Sequence, residues 1–140
     1  MLKLELNLTQ FFVIALANFI LGWLWYSPLL FVKPWMKALG LDPNKREMSQ
    51  KDKERMPMLF AGAIISSLAL SFALQVLVHS VGAADFMQGA VLGLLLWLGF
   101  ALTTSLGTLW EGRSGIVIQI NNGNYLVSYV LFAGILAAWH

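Results

Sequence analysis

Four stretches of this chain contain no Asp, Glu, Lys or Arg: residues 6–32, 56–84, 86–110 and 114–140. Each is longer than the roughly 20 residues that a helix rising about 1.5 Å per residue needs to cross about 30 Å of hydrocarbon. Helix is the expected form, because an open strand in lipid leaves its backbone groups unpaired. The runs also lack the short alternating segments of a transmembrane barrel. The reading is therefore all-α: a single transmembrane domain, 1–140, folded as an integral membrane four-helix bundle. Its spans are expected near Leu8–Leu30, Met58–His79, Phe86–Trp110 and Ile116–Trp139. Composition agrees: 59% of residues are hydrophobic and 11% charged, against roughly 45–50% and about 25% in soluble domains.

Basic residues set the expected orientation. Lys33, Lys37, Lys45, Arg46, Lys51, Lys53 and Arg55 lie between spans one and two, and Arg113 lies between spans three and four on the same side. Lys3 alone lies opposite, so the tally is eight against one. The positive-inside rule puts the basic loop, 32–57, in the cytoplasm and both termini outside, in a multi-pass protein of the cell (inner) membrane. Trp25, Tyr26, Trp35 and Trp110 sit where aromatic anchors belong at one interface, and Trp139 at the other. Ala15-Leu16-Ala17 has the small-x-small form of a signal cleavage site. The apolar run before it is only about seven residues and continues beyond it, so the first span is expected to be retained.

Within the basic loop, Pro34 suits the first turn of a short helix stopping at Gly40. Trp35 and Leu39 lie one turn apart on it, with Lys33 and Lys37 alongside, as in a segment lying in the cytoplasmic interface. Pro28 should disturb the end of helix one. Asp42-Pro43-Asn44 reads as a turn. Ser49-x-x-Asp52 resembles a capping box that opens a polar helical turn, and Pro57 starts or kinks span two. The Lys45–Arg55 run is expected to be a solvated loop held near anionic headgroups.

Polar side chains at membrane depth are costly when unpaired and usually face the interior of a bundle. Asn18 shares a face with Ala15, Gly22 and Trp25 and should bond another helix. Ala63, Ser67, Ser71, Gln75 and His79 follow at four-residue spacing. They form either a small-residue packing stripe, with serines bonded to their own backbone, or a polar track. Gly89, Gly93 and Trp97 form one seam of span three and Gly99, Thr103 and Gly107 another, which suggests two helix neighbours. The most unusual stretch is Glu111-Gly112-Arg113 followed by Gln119, Asn121, Asn122 and Asn124. Asn121 and Asn122 are about 100° apart on a helix, so these amides cannot share one face. Some must meet helices, and others must meet helices or water. Glu111 is expected to pair with Arg113 or with the basic loop. The candidate polar intramembrane site is thus Asn18, Trp25, Tyr26, Gln75, Trp97, Glu111, Arg113, Asn121 and Asn122.

The absence of cysteine rules out disulfides, thiolate nucleophiles and cysteine metal sites, and two histidines, His79 and His140, are thin material for a metal. No metal or cofactor is expected. A net charge of +2 concentrated in one loop gives no case for nucleic acid. No Gly-x-Ser-x-Gly or phosphate-binding glycine loop is present, so an enzyme is not expected. Acid–base chemistry in the membrane would fall to Glu111.

Asn18-Phe19, the run Leu24-Trp25-Tyr26-Ser27-Pro28-Leu29-Leu30-Phe31, Trp35-Met36 and Gly40 resemble the start of the domain of unknown function 1761 family. Trp97-Leu98-Gly99-Phe100, Glu111-Gly112-Arg113-Ser114, and Ile120-Asn121 followed by Tyr125 resemble its second half. The resemblance implies a small, mostly bacterial membrane protein with four helices and no assigned activity. It draws attention to Asn18, Trp25, Tyr26, Ser27, Pro28, Trp97, Glu111, Arg113 and Asn121. The expected function is transport of an ion or small polar solute by a homo-oligomer. The alternative is an accessory membrane subunit that binds a partner protein.

Overall fold

The structure is a computed structural model describing residues 1–44 and 49–139. Lys45, Arg46 and His140, named above, lie outside the described residues, so the loop reading is followed only from Ser49 onward. The described residues form helices: α1 (Leu8–Trp25), α2 (Val32–Ala38), α3 (Gln50–Val81), α4 (Phe86–Glu111) and α5 (Gly115–Ala138). Within α4, α-helix over Phe86–Leu96 passes into π-helix over Trp97–Leu102, one α turn over Thr103–Gly107 and a 3₁₀ turn over Thr108–Glu111.

The long helices start where a side chain accepts one of their free amide hydrogens. Asn7 accepts from Gln10 N, Ser49 from Asp52 N, Asp85 from Gln88 N and Ser114 from Ile116 N. Gly82 and Gly112 end α3 and α4 at φ of 70° and 77°, a left-handed geometry that glycine adopts without a Cβ clash.

Two expected boundaries change. Helix one stops at Trp25, not Leu30, because Pro28 disfavours helical geometry at Ser27, whose hydroxyl turns back to donate to Leu24 O at 2.6 Å. Helix three starts at Gln50, not Met58, and runs through Pro57. The Ser49–Asp52 cap closes reciprocally, with the Ser49 hydroxyl donating to Asp52 Oδ2 at 2.6 Å, and nucleates the helix upstream of the proline.

The expected count of four apolar spans is also corrected. Among the described residues, three helices are long and apolar enough to cross a membrane: α1, α3 and α4. The fourth, α5, has 24 residues but carries Gln119, Asn121, Asn122, Asn124 and Ser128. Its position accounts for this composition. It packs most extensively on α4 and also touches α1, α2 and α3, and ten of its residues are buried.

Cross-contacts fix the helix directions. Asn7 of α1 meets Gln75 of α3, and Asn18 meets Ser67, so the two run antiparallel. Trp25 of α1 meets Ile120 of α5, while Gln10 meets Trp139, so these also run antiparallel. The α3–α4 turn therefore shares one end with the described termini, called here the terminal end, where Lys3 N donates to Ser80 Oγ at 2.7 Å. The α1–α3 connection and the α4–α5 turn share the other, the loop end. The apolar core, formed by Ile14, Leu74, Val78, Phe132, Ala133, Leu136 and Ala137, fills the terminal half.

Candidate functional site

The loop half is built from aromatic side chains of α1 and α4 that grip the polar start of α5. Trp25 Nε1 donates to Ile120 O at 2.9 Å, and Trp97 Nε1 donates to Asn122 O at 3.0 Å. A helical carbonyl has a second lone pair, so each indole adds a bond without breaking the helix. The Tyr26 hydroxyl donates to Asn121 Oδ1 at 2.6 Å. Gly123 permits the approach, since a Cβ there would lie 2.9 Å from Trp25 Cζ2. The Trp35 ring stands edge-on to Tyr26 at 5.4 Å, which holds α2 against this cluster. Trp25, Tyr26 and Trp35 thus engage α5 or each other inside the bundle, whereas Trp110 projects outward at 96% exposure.

Two cavities flank this grip. One, of about 650 Å³, is a groove between α1, α3 and α5. Asn18, Ser67, Asn124 and Ser128 supply polar walls, and Phe19, Trp23, Leu59 and Phe60 supply apolar ones. The other, of about 390 Å³, lies between α4 and α5, with Thr104, Thr108, Arg113 and Asn121 among its walls. Tyr125 and Tyr129, one turn apart on α5, line both and divide them. At the far end of the groove Asn18 Nδ2 donates to Ser67 Oγ at 2.9 Å.

The π segment of α4 serves the smaller cavity. In an α-helix each step of four residues drifts by about 40° around the axis. The wider π turn winds less per residue, so Gly93, Trp97 and Ala101 continue to face α5. The Thr103 hydroxyl donates to Gly99 O at 2.8 Å and the Ser105 hydroxyl to Ala101 O at 2.8 Å, which satisfies carbonyls in the disturbed turn.

The polar residues at the terminal end form a seal. Gln75 is 0% exposed. Its Nε2 donates to Asn7 O and to Gln10 Oε1, at 3.2 and 2.8 Å, and its Oε1 accepts from Asn7 N at 3.1 Å. Gln10 Nε2 then donates to Trp139 O at 3.1 Å, which ties in the end of α5. The Ser71 hydroxyl donates to Phe11 O at 2.7 Å. The stripe on α3 is therefore interhelical glue: Ser67, Ser71 and Gln75 all bond α1, and neither serine is turned back on its own helix.

Of the nine sequence candidates, Asn18, Trp25, Tyr26, Trp97, Asn121 and Asn122 converge on the loop half, and Gln75 does not join them. Glu111 and Arg113 form an exposed ion pair at 3.6 Å, with Arg113 alone reaching a cavity wall. The seam of Gly89 and Gly93 is filled by the backbone of α5 at Ala133 and Tyr129. The second seam has no neighbour among the described residues: open space surrounds Gly99 and Gly107.

Sequence reasoning missed Gln10, Asn124, Tyr125 and Tyr129 as site residues. Asn124 stood among the noted amides, and its spacing from Asn121 and Ser128 marks a shared helix face. Asn124 is 8% exposed, and its Nδ2, like Asn122 Oδ1 and Trp35 Nε1, has no hydrogen-bond partner among the described residues. Such a buried, unmatched N–H costs about 1–3 kcal/mol. The described residues contain no group of three His, Asp or Glu side chains able to hold a metal.

A family model described as "Protein of unknown function (DUF1761)" matches residues 9–137, nearly the whole chain. No curated protein and no solved structure matches it.

Proposed function

The chain belongs to the DUF1761 family, and from that premise we propose that it is a multi-pass membrane protein that takes a small solute into the groove between α1, α3 and α5. The observation that carries this reading is an inverted distribution of polarity. Large apolar side chains such as Trp23, Leu59, Ile65, Leu95 and Phe100 point outward, while Gln10, Ser71, Gln75, Asn122, Asn124 and Ser128 are buried. That arrangement suits a hydrocarbon surround, where hydrogen bonds and close packing hold helices together. All of α5 is included in the membrane bundle, with Asn122 and Asn124 shielded by the other helices and Gln119 exposed near its loop-end start. The charge tally puts the loop end in the cytoplasm and the terminal end outside. The groove then lies in the cytoplasmic half, and the Gln10–Gln75 seal and the apolar core close the outer half.

Thermal unfolding of the purified full chain in detergent tests the uptake of a solute. A panel of octanol, octylammonium and octanoate spans neutral and charged candidates. At least one should raise Tm saturably, as a ligand selective for the native state does. Ala63→Trp, which fills the groove from α3, should remove the shift. A Tm that no member moves defeats the reading.

Transport by a homo-oligomer is a second reading, favoured by the open Gly99–Thr103–Gly107 face of α4. Native mass spectrometry should then give a multimer that Gly99→Leu dissociates. A monomer with one stoichiometric foreign subunit would favour the accessory role instead.

A further inference from the structure

The geometry points to Asn124 as the hydrogen-bond donor of a site for a neutral, largely apolar molecule that carries an acceptor oxygen. This rests on the reading that the groove between α1, α3 and α5 takes up a solute, and it names the chemistry of that solute. Three independent features define it.

The first is charge. Among the described residues, none of the side chains lining the groove is Asp, Glu, Lys, Arg or His. An ion seated there would lose its hydration and find no counter-charge, so the occupant is neutral.

The second is the hydrogen-bond account. The Asn18 amide donates to Ser67 and the Tyr26 hydroxyl to Asn121. Asn124 Nδ2 has no such partner, though its residue is more than nine-tenths buried and lines the groove. Its complement is a carbonyl, ether or hydroxyl oxygen.

The third is shape. The volume of about 650 Å³ lies within the roughly 300–1,000 Å³ of small-molecule sites. Phe19, Trp23, Leu59, Phe60 and Leu70 offer apolar contact along its sides. Trp23, Leu59 and Phe60 are 67%, 51% and 48% exposed, so the mouth opens on the outer surface of the bundle between α1 and α3. An apolar molecule reaches it sideways, oxygen innermost. The same chemistry describes the ester carbonyl of a neutral bilayer glycerolipid and a free neutral amphiphile.

The test uses the full chain in lipid nanodiscs and an octanol bearing an aliphatic diazirine, with labelled residues mapped by mass spectrometry. Label is expected on Trp23 or within Leu59–Ala63. Octanol should compete at a concentration at least ten-fold below octane, and octylammonium should not compete. Asn124→Leu and Asn124→Ala should bring octanol to the level of octane while the label persists. Asn18→Leu, which removes a donor already committed to Ser67, should keep the preference for octanol. Equal competition by octanol and octane in the unaltered chain, or a preference surviving both Asn124 variants, overturns the inference while leaving solute uptake intact. Label that misses the groove overturns both. A stoichiometric neutral glycerolipid in organic extracts of the purified chain identifies the bilayer as source. Its absence alongside octanol binding identifies a free solute.

Discussion

Asn124 and Gln75 are both buried amides on inner helix faces, yet they should respond oppositely to substitution. Gln75 uses both amide hydrogens and its oxygen on Asn7 and Gln10. Gln75→Leu strands Asn7 N and Gln10 Oε1, while Asn7 O keeps its bond from Phe11 N, and should destabilise the protein by on the order of 2–3 kcal/mol. Asn124 carries an N–H that nothing among the described residues receives. Asn124→Leu removes that desolvated donor and should raise stability by about 1 kcal/mol in detergent without added solute. A side chain kept at the expense of stability is one whose benefit lies in what it binds. Reversible unfolding of the purified variants measures both, with Trp110→Ala as the exposed reference. A loss of stability in Asn124→Leu would mean that its amide is matched after all.

The helices themselves divide between what their sequences announce and what only neighbours decide. The charge-free windows place the starts of α4 and α5 to within a residue, and Asp85 and Ser114 cap the two helices there. The stop at Trp25 and the start at Gln50 depend on how Pro28 and Pro57 are accommodated, which charge-free windows do not encode. The π segment was illegible too, since its cause is the need to keep Trp97 and Ala101 on α5, a demand from another helix. In the site, the indole and phenol of Trp25 and Tyr26 could be singled out by residue type, but their partners, Ile120 O and Asn121, could not. The two glycine seams of α4 looked alike in sequence, and only one is filled. They should therefore separate cleanly by mutation. A side chain at Gly93 would drive into the backbone at Tyr129 and Val130, so Gly93→Val should cost at least about 1–3 kcal/mol. Gly99→Val meets open space and should leave the monomer fold unchanged. Circular dichroism melts of the two variants in detergent decide this, and equal losses would mean that the outer seam is also packed.

At the scale of the whole molecule, antiparallel contacts place the α3–α4 turn with the described termini, and the orientation proposed from charge turns the loop end to the cytoplasm. That proposal rests on the uneven spread of the basic residues, eight against one. It also has a clean assay, since the chain has no cysteine of its own. Val81→Cys places a thiol on an exposed position at the terminal end, and Lys51→Cys places one on an exposed position at the loop end. In intact cells a membrane-impermeant maleimide should label Val81→Cys, and Lys51→Cys should react only after permeabilisation. The opposite pattern would invert the protein and turn the groove toward the outside, so that its half of the bundle would draw solute from the outer leaflet. Labelling of both thiols from one side would mean that α3, whose two ends carry them, does not cross the membrane.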